Sequence, residues 1–147
     1  MEDIYVSYIR EQLHAVLGID SPSGCTEDVQ QYLCDTLRAM GFAPRRLVKG
    51  GVHVTLGGEG EPLTLTAHAD TLGAVVQYIK PNGRLAISNI TLNVHNAEAE
   101  NVRVITRFDG AYEGTLQLCN ASVHVNGDYS SAKRCFDTVE VVLDAKA

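Results

Sequence analysis

The hydrophobic period of this chain changes once, near Pro44, and that change limits the folds open to it. Before Pro44 apolar residues recur at helical spacing, and after it they alternate at the spacing of strands. Ile4, Tyr5, Tyr8, Ile9 and Leu13 predict an amphipathic helix over residues 3–17, ended by Gly18. The turn-forming run Ile19-Asp20-Ser21-Pro22-Ser23-Gly24 follows. Val29, Tyr32, Leu33, Thr36, Leu37 and Met40 make a second stripe. Its helix has Thr26 as N-cap, Glu27 and Asp28 at the positive end of the dipole, and Gly41 as C-cap.

Beyond Pro44, three strands are predicted at Arg46–Val48, Val52–Leu56 and Leu63–Ala67. The glycine-rich loop Gly57-Gly58-Glu59-Gly60-Glu61-Pro62 lacks a Walker lysine and precedes a strand rather than a helix. It therefore reads as a hairpin connection and not a phosphate cradle. Ala74–Ile79 and Arg84–Ser88 flank the Asn-Gly turn in Lys80-Pro81-Asn82-Gly83, and Asn101–Arg107 and Tyr112–Leu118 flank Asp109-Gly110. Ser122–Val125 and Val139–Leu143 are further short strands, and Asn93–Glu100 is a polar connection. The expected fold class is α/β: an α/β piece of two helices and about three strands, joined to a small β-barrel or sandwich.

Charge marks the same division. Residues 1–70 carry ten Asp/Glu against five Lys/Arg, whereas residues 71–147 carry eight against seven. Two domains, 1–70 and 71–147, are expected. The net charge of −6 argues against nucleic acid as a partner, because binding phosphates needs a basic surface. No apolar run approaches the roughly 20 residues that span a bilayer, so no membrane partner is expected. The acidic start Met1-Glu2-Asp3-Ile4 has no signal-peptide form, and a cytoplasmic address follows. Cys25, Cys34, Cys119 and Cys135 form no C-x-x-C pair or zinc-finger spacing and read as free, mostly buried thiols.

One stretch looks built for chemistry. The apolar run Leu63–Ala67 ends in His68-Ala69-Asp70, followed by Thr71-Leu72-Gly73. Strand alternation would point His68 and Asp70 the same way, and open α/β sheets collect ligands at the carboxyl ends of their strands. A histidine with a carboxylate two residues on suits a metal ligand and its orienting partner. The plainer alternative is a surface histidine bonded to a neighbouring acid. His14, His53, His95 and His124 have no second ligand at short spacing, and neither H-E-x-x-H nor G-x-S-x-G occurs. Cys34, inside the second helix, reads as packing.

Taken in order, several segments resemble the glutamyl aminopeptidase/cellulase-like family of dinuclear metallopeptidases. They are Ser21-Pro22-Ser23-Gly24, Thr66–Gly73, Lys80-Pro81-Asn82-Gly83, His95-Asn96-Ala97-Glu98, Ser122-Val123-His124-Val125-Asn126, and the tail from Lys133-Arg134 to Glu140-Val141-Val142. The resemblance implies an α/β peptidase domain interrupted, just after the His-x-Asp strand, by a β-rich domain that mediates homo-oligomerisation. It implies that His68 binds one of two divalent ions, zinc or cobalt, and that Asp70 is the catalytic-site carboxylate that fixes the His68 ring. Peptides are the implied substrates. The family's remaining metal ligands and its general base lie beyond the β domain. The chain therefore reads as the N-terminal portion of a metal-dependent aminopeptidase, inactive by itself. The alternative is a non-catalytic short product whose β module only self-associates or binds a partner. Ala99 stands where the family often has glycine, between Glu98 and Glu100.

Overall fold

The computed structural model describes residues 2–145, which form two compact units divided between Thr71 and Leu72. The fold class is α/β, with two helices in the first unit and antiparallel sheet in both.

The first unit contains helix α1 (Glu2–Leu17), helix α2 (Glu27–Ala39) and strands β1 (Arg45–Arg46) and β2 (Val52–His53). Helix α2 carries the unit's core, with Val29, Gln30 and Cys34 buried. It stops where the sequence says it should. Gly41 takes φ +89°, its N–H donates to the Arg38 carbonyl at 2.9 Å, and the Phe42 N–H donates to that of Leu37 at 3.0 Å. These paired bonds satisfy carbonyls that the helix end would otherwise orphan, and the left-handed residue they need is glycine.

One expected strand in this unit is corrected, and two helix readings are refined. Thr26 is the N-cap residue of α2 as expected, but its side chain does not cap the backbone; Oγ1 instead accepts from Gln30 Nε2 at 2.7 Å. The apolar residues of α1, among them Ile4, Ile9, Leu13 and Leu17, are exposed rather than packed. The segment Leu63–Ala67 is not a strand. A strand exists through its ladder, and among the described residues no strand pairs with this one, leaving Leu63 and Leu65 84% and 82% exposed. Strands β1 and β2 pair antiparallel for only two residues each, Arg45 opposite His53 and Arg46 opposite Val52.

The second unit is a five-stranded antiparallel sheet. Its strands are β3 (Ala74–Ile79), β4 (Leu85–Asn89), β5 (Asn101–Ile105), β6 (Ala111–Leu118) and β7 (Val139–Leu143), in the order β3-β4-β7-β6-β5. Both expected hairpins form. In the first, the Gly83 N–H donates to the Lys80 carbonyl at 2.9 Å and the Lys80 N–H to that of Arg84 at 2.8 Å. Pro81, with its fixed φ, suits the start of such a turn, and Gly83 takes the left-handed position at φ +80°. The last strand in the chain, β7, lies between the two hairpins. Leu116 and Leu118 of β6 face Val141 and Val139 across the ladder, and with Leu85, Ile87, Val94 and Ala97 they form the core. At Gly114 the β6 and β7 backbones approach so closely that a Cβ would lie 2.4 Å from the Val142 carbonyl oxygen.

The expected strand Ser122–Val125 is a turn instead. Asn126 causes it: its N–H returns to the Ser122 carbonyl at 2.9 Å and its Nδ2 donates to the Asn120 carbonyl at 2.7 Å. This local closure competes with ladder formation. Val123 and Val125 are consequently exposed. The four cysteines are free, but only Cys34 is buried; Cys25 and Cys119 are exposed, which corrects the expectation of mostly buried thiols.

Candidate functional site

The site lies in the first unit, where the loop before α2 meets the segment that ends at Thr71. Two backbone-level contacts hold these segments together. The Thr71 N–H donates to the Ser21 carbonyl at 2.8 Å, and Pro22 and Thr71 form an isolated parallel bridge. Buried Ser21 adds a third link, its Oγ donating to the Ala69 carbonyl at 2.9 Å. The Ser-Pro-Ser-Gly loop is thereby stitched to residues 69–71, and Ser23 is set beside Asp70.

His68 and Asp70 are in contact. His68 Nδ1 lies 3.2 Å from Asp70 Oδ1 and 3.1 Å from the Asp70 carbonyl oxygen. Both neighbours are acceptors, so in the neutral imidazole Nδ1 carries the proton and Nε2 the lone pair. The imidazole is 86% exposed, so that lone pair is accessible. The other Asp70 carboxylate oxygen, Oδ2, accepts from Ser23 Oγ at 2.5 Å. The Ser23 hydroxyl, and then His68, hold the Asp70 carboxyl below the usual carboxylate range by hydrogen bonding to its charged form. A hydroxyl, a carboxylate and an imidazole therefore form a chain ending in an available nitrogen. Such a chain fixes the tautomer and ring orientation that a metal-ligating histidine needs.

This donor set suits one ligand position of a divalent metal site and its supporting shell. It does not complete a site, because among the described residues no three His, Cys, Asp or Glu side chains are grouped to hold an ion. The other histidines stay apart. His14 ends α1, His53 lies on β2 within 3.3 Å of Arg45 Nε, His95 is in the short 3-10 turn Val94–Asn96, and His124 is in the Asn126 turn. All four are exposed. A cavity of about 360 Å³ opens beside the chain of contacts, with Ser23, Gln30, Lys49, His68 and Asp70 on its walls.

Ser23 is the residue that sequence reasoning passed over. Its signal was the Ser-Pro-Ser-Gly run, legible as a turn, but the 47-residue separation from Asp70 hid the partnership.

Comparison with known proteins gives consistent matches. A family profile described as M42 glutamyl aminopeptidase matches residues 50–147. The putative aminopeptidase YhfE of Bacillus subtilis (strain 168) is 36% identical over 137 residues, covering 91% of this chain. The chain spans 40% of the length of that relative. Among solved structures, the TET aminopeptidase of the marine sediment archaeon Thaumarchaeota archaeon SCGC AB-539-E09 superposes with a TM-score of 0.81 at 17% identity, over 94% of this chain and 39% of that one. The dodecameric PhTET1-12s superposes at 0.74 with 19% identity, over 92% and 39%.

Proposed function

The chain belongs to the M42 glutamyl aminopeptidase family, and we propose that it supplies one wall of a metal-dependent aminopeptidase that removes N-terminal residues from peptides. The observation that carries this reading is the Ser23–Asp70–His68 chain, which leaves one imidazole nitrogen available and oriented. In this reading His68 is a metal ligand and Asp70 is its positioning carboxylate. His68 would hold one of two divalent ions, zinc or cobalt, and these would supply Lewis-acid polarisation of the scissile carbonyl and acidify a water. Asp70 accepts a hydrogen bond from Nδ1–H and so holds the neutral imidazole in the tautomer whose Nε2 carries the lone pair. Ser23 keeps Asp70 ionised and restrains its rotation.

The remaining ligands and the general base would come from sequence outside these 147 residues, and the chain alone would be inactive. The proposed domain division places the peptidase portion at 1–70 and a β-rich domain at 71–147, with homo-oligomerisation through the latter and a cytoplasmic address. A dodecameric structural neighbour supports the oligomer. No described helix is long and apolar enough to cross a membrane.

Aminopeptidase assays on the full-length gene product with zinc, cobalt or manganese test the reading. Activity that His68→Ala lowers by at least tenfold is expected, with none from the 147-residue chain. Absence of activity with all three metals would overturn it. Retention of full activity by His68→Ala would remove His68 from the ligand set.

A further inference from the structure

A second cluster of reactive side chains lies in the other unit, on the face of the β6–β7 ladder opposite the core. Lys80 begins the turn between β3 and β4, and its Nζ donates to Glu140 Oε2 at 2.8 Å. Glu140 is 2% exposed, so this contact anchors the lysine against a buried carboxylate, which also binds Arg84. The same Nζ lies 3.3 Å from the Sγ of Cys119, the residue that follows β6. Cys119 in turn is tied to the sheet, its N–H donating to the Thr138 carbonyl at 2.9 Å. An anchored ammonium, a nucleophile once deprotonated, thus touches an exposed thiol, and the two come from positions 39 residues apart.

We propose that Lys80 and Cys119 form a redox-gated cross-link site, at which an oxidant of the peroxide class leads to a direct Nζ–Sγ bond, a sulfenamide. Exposure lets peroxide reach the sulfur, which is the first requirement for oxidation. The sulfur attacks one peroxide oxygen as the thiolate, the O–O bond breaks, the departing hydroxide takes up the thiol proton and leaves as water, and the sulfur is oxidised by two electrons to sulfenic acid. The Lys80 ammonium releases a proton to solvent. Its nitrogen then attacks the now electrophilic sulfur, forming S–N and breaking S–O, and the hydroxyl departs as water with the second amine proton. In sum, one thiol, one ammonium and one hydrogen peroxide give one sulfenamide, two waters and one proton. Sulfenic acids already condense in this way with backbone nitrogen. The 3.3 Å separation lies in the range of a near-attack geometry, so little movement is required. Attack waits until the sulfur has been oxidised, because a thiol sulfur offers no leaving group and a sulfenic sulfur does.

The bond would tie the β3–β4 hairpin to the end of β6. Cys135 is the competing thiol to test: its Sγ contacts Thr138 Oγ1 at 3.6 Å, and Thr138, just before β7, accepts the Cys119 N–H through its carbonyl. Treating the 147-residue chain with hydrogen peroxide, then counting free thiols and mapping peptides by mass spectrometry, tests the proposal. The expected result is a fall from four thiols to three, with the Lys80 and Cys119 peptides joined at a mass two hydrogens below their sum and released by dithiothreitol. Cys119→Ser and Lys80→Arg should lose the link, the latter while keeping a cation for Glu140, and Cys135→Ser should keep it. Loss of two thiols with Cys119 joined to Cys135 would overturn the proposal. So would a link that retains an extra oxygen, Cys119 oxidised without any link, four surviving thiols, or a link that persists in Lys80→Arg.

Discussion

Ser23 Oγ donates a hydrogen bond of 2.5 Å to Asp70 Oδ2, joining the loop before α2 to the segment that carries His68. The bond stabilises the ionised carboxylate, and the carboxylate in turn orients the imidazole. Ser23→Ala should therefore raise the Asp70 pKa towards its ordinary value of 3.8, read by following the carboxyl carbon in an NMR titration. The sign is that of a depressed acid. The stabilisation from this carboxylate is present above its unfolded-state pKa and disappears as pH falls through the lower folded-state value. A Ser23→Ala protein in which Asp70 titrates as before would remove Ser23 from this role.

Ala99 has φ +69°, the one positive value outside glycine among the described residues, and its N–H donates to the Leu116 carbonyl at 2.8 Å. The left-handed conformation crowds Cβ against the following carbonyl and costs an alanine about 1–2 kcal/mol. Glycine removes that crowding but loses more chain entropy on folding. Ala99→Gly should stabilise the fold by about 0.5–1 kcal/mol, seen as a higher urea midpoint with an unchanged slope. A lower midpoint would contradict this account.

Gly114 answers to a different constraint. Its position opposite Leu143 leaves no room for a Cβ beside the Val142 carbonyl oxygen. Because that neighbour is backbone, the strands themselves must separate to admit one. Gly114→Ala should cost about 3 kcal/mol of stability, at the upper end for overpacking. Gly127→Ala, where a Cβ would meet nothing within 4 Å, is the control and should change stability by under about 0.5 kcal/mol. Thermal unfolding of the pair separates crowding from any general loss of a glycine.

Glu140 is buried between Lys80 and Arg84. Burial alone would push its carboxyl pKa up, but hydrogen bonds from both cations outweigh it and hold the pKa below 4.5. Glu140→Ala should destabilise the second unit by about 2–3 kcal/mol. That is less than the removal of one member of a fully buried pair, because Lys80 and Arg84 can still reach water. In the unsubstituted protein the contribution is complete above pH 4.5 and is lost as pH falls through the depressed folded-state value. Stability of the two proteins should therefore converge in acid, measured by urea unfolding across pH. A constant gap would assign the effect to packing.

What the sequence determined by itself is whatever its neighbours in the chain enforce. The end of α2 at Gly41 and the hairpin turns at Gly83 and Gly110 were legible because each depends on a few adjacent residues with special backbone freedom. The position of Ala99 was also visible, as a departure from the glycine expected there. Tertiary structure decided matters that rest on distant partners. Leu63–Ala67 has the composition of a strand, yet it forms none among the described residues because pairing, not composition, makes a ladder. In α1 the helical period was right and its burial was not, since a helix shows which residues share a face but not what covers them. The insertion of β7 between the two hairpins, and the meeting of Ser23 with Asp70, arise only when segments far apart in the chain come together. His68 and Asp70 could be singled out as a candidate pair from their spacing; the hydroxyl that holds the carboxylate could not.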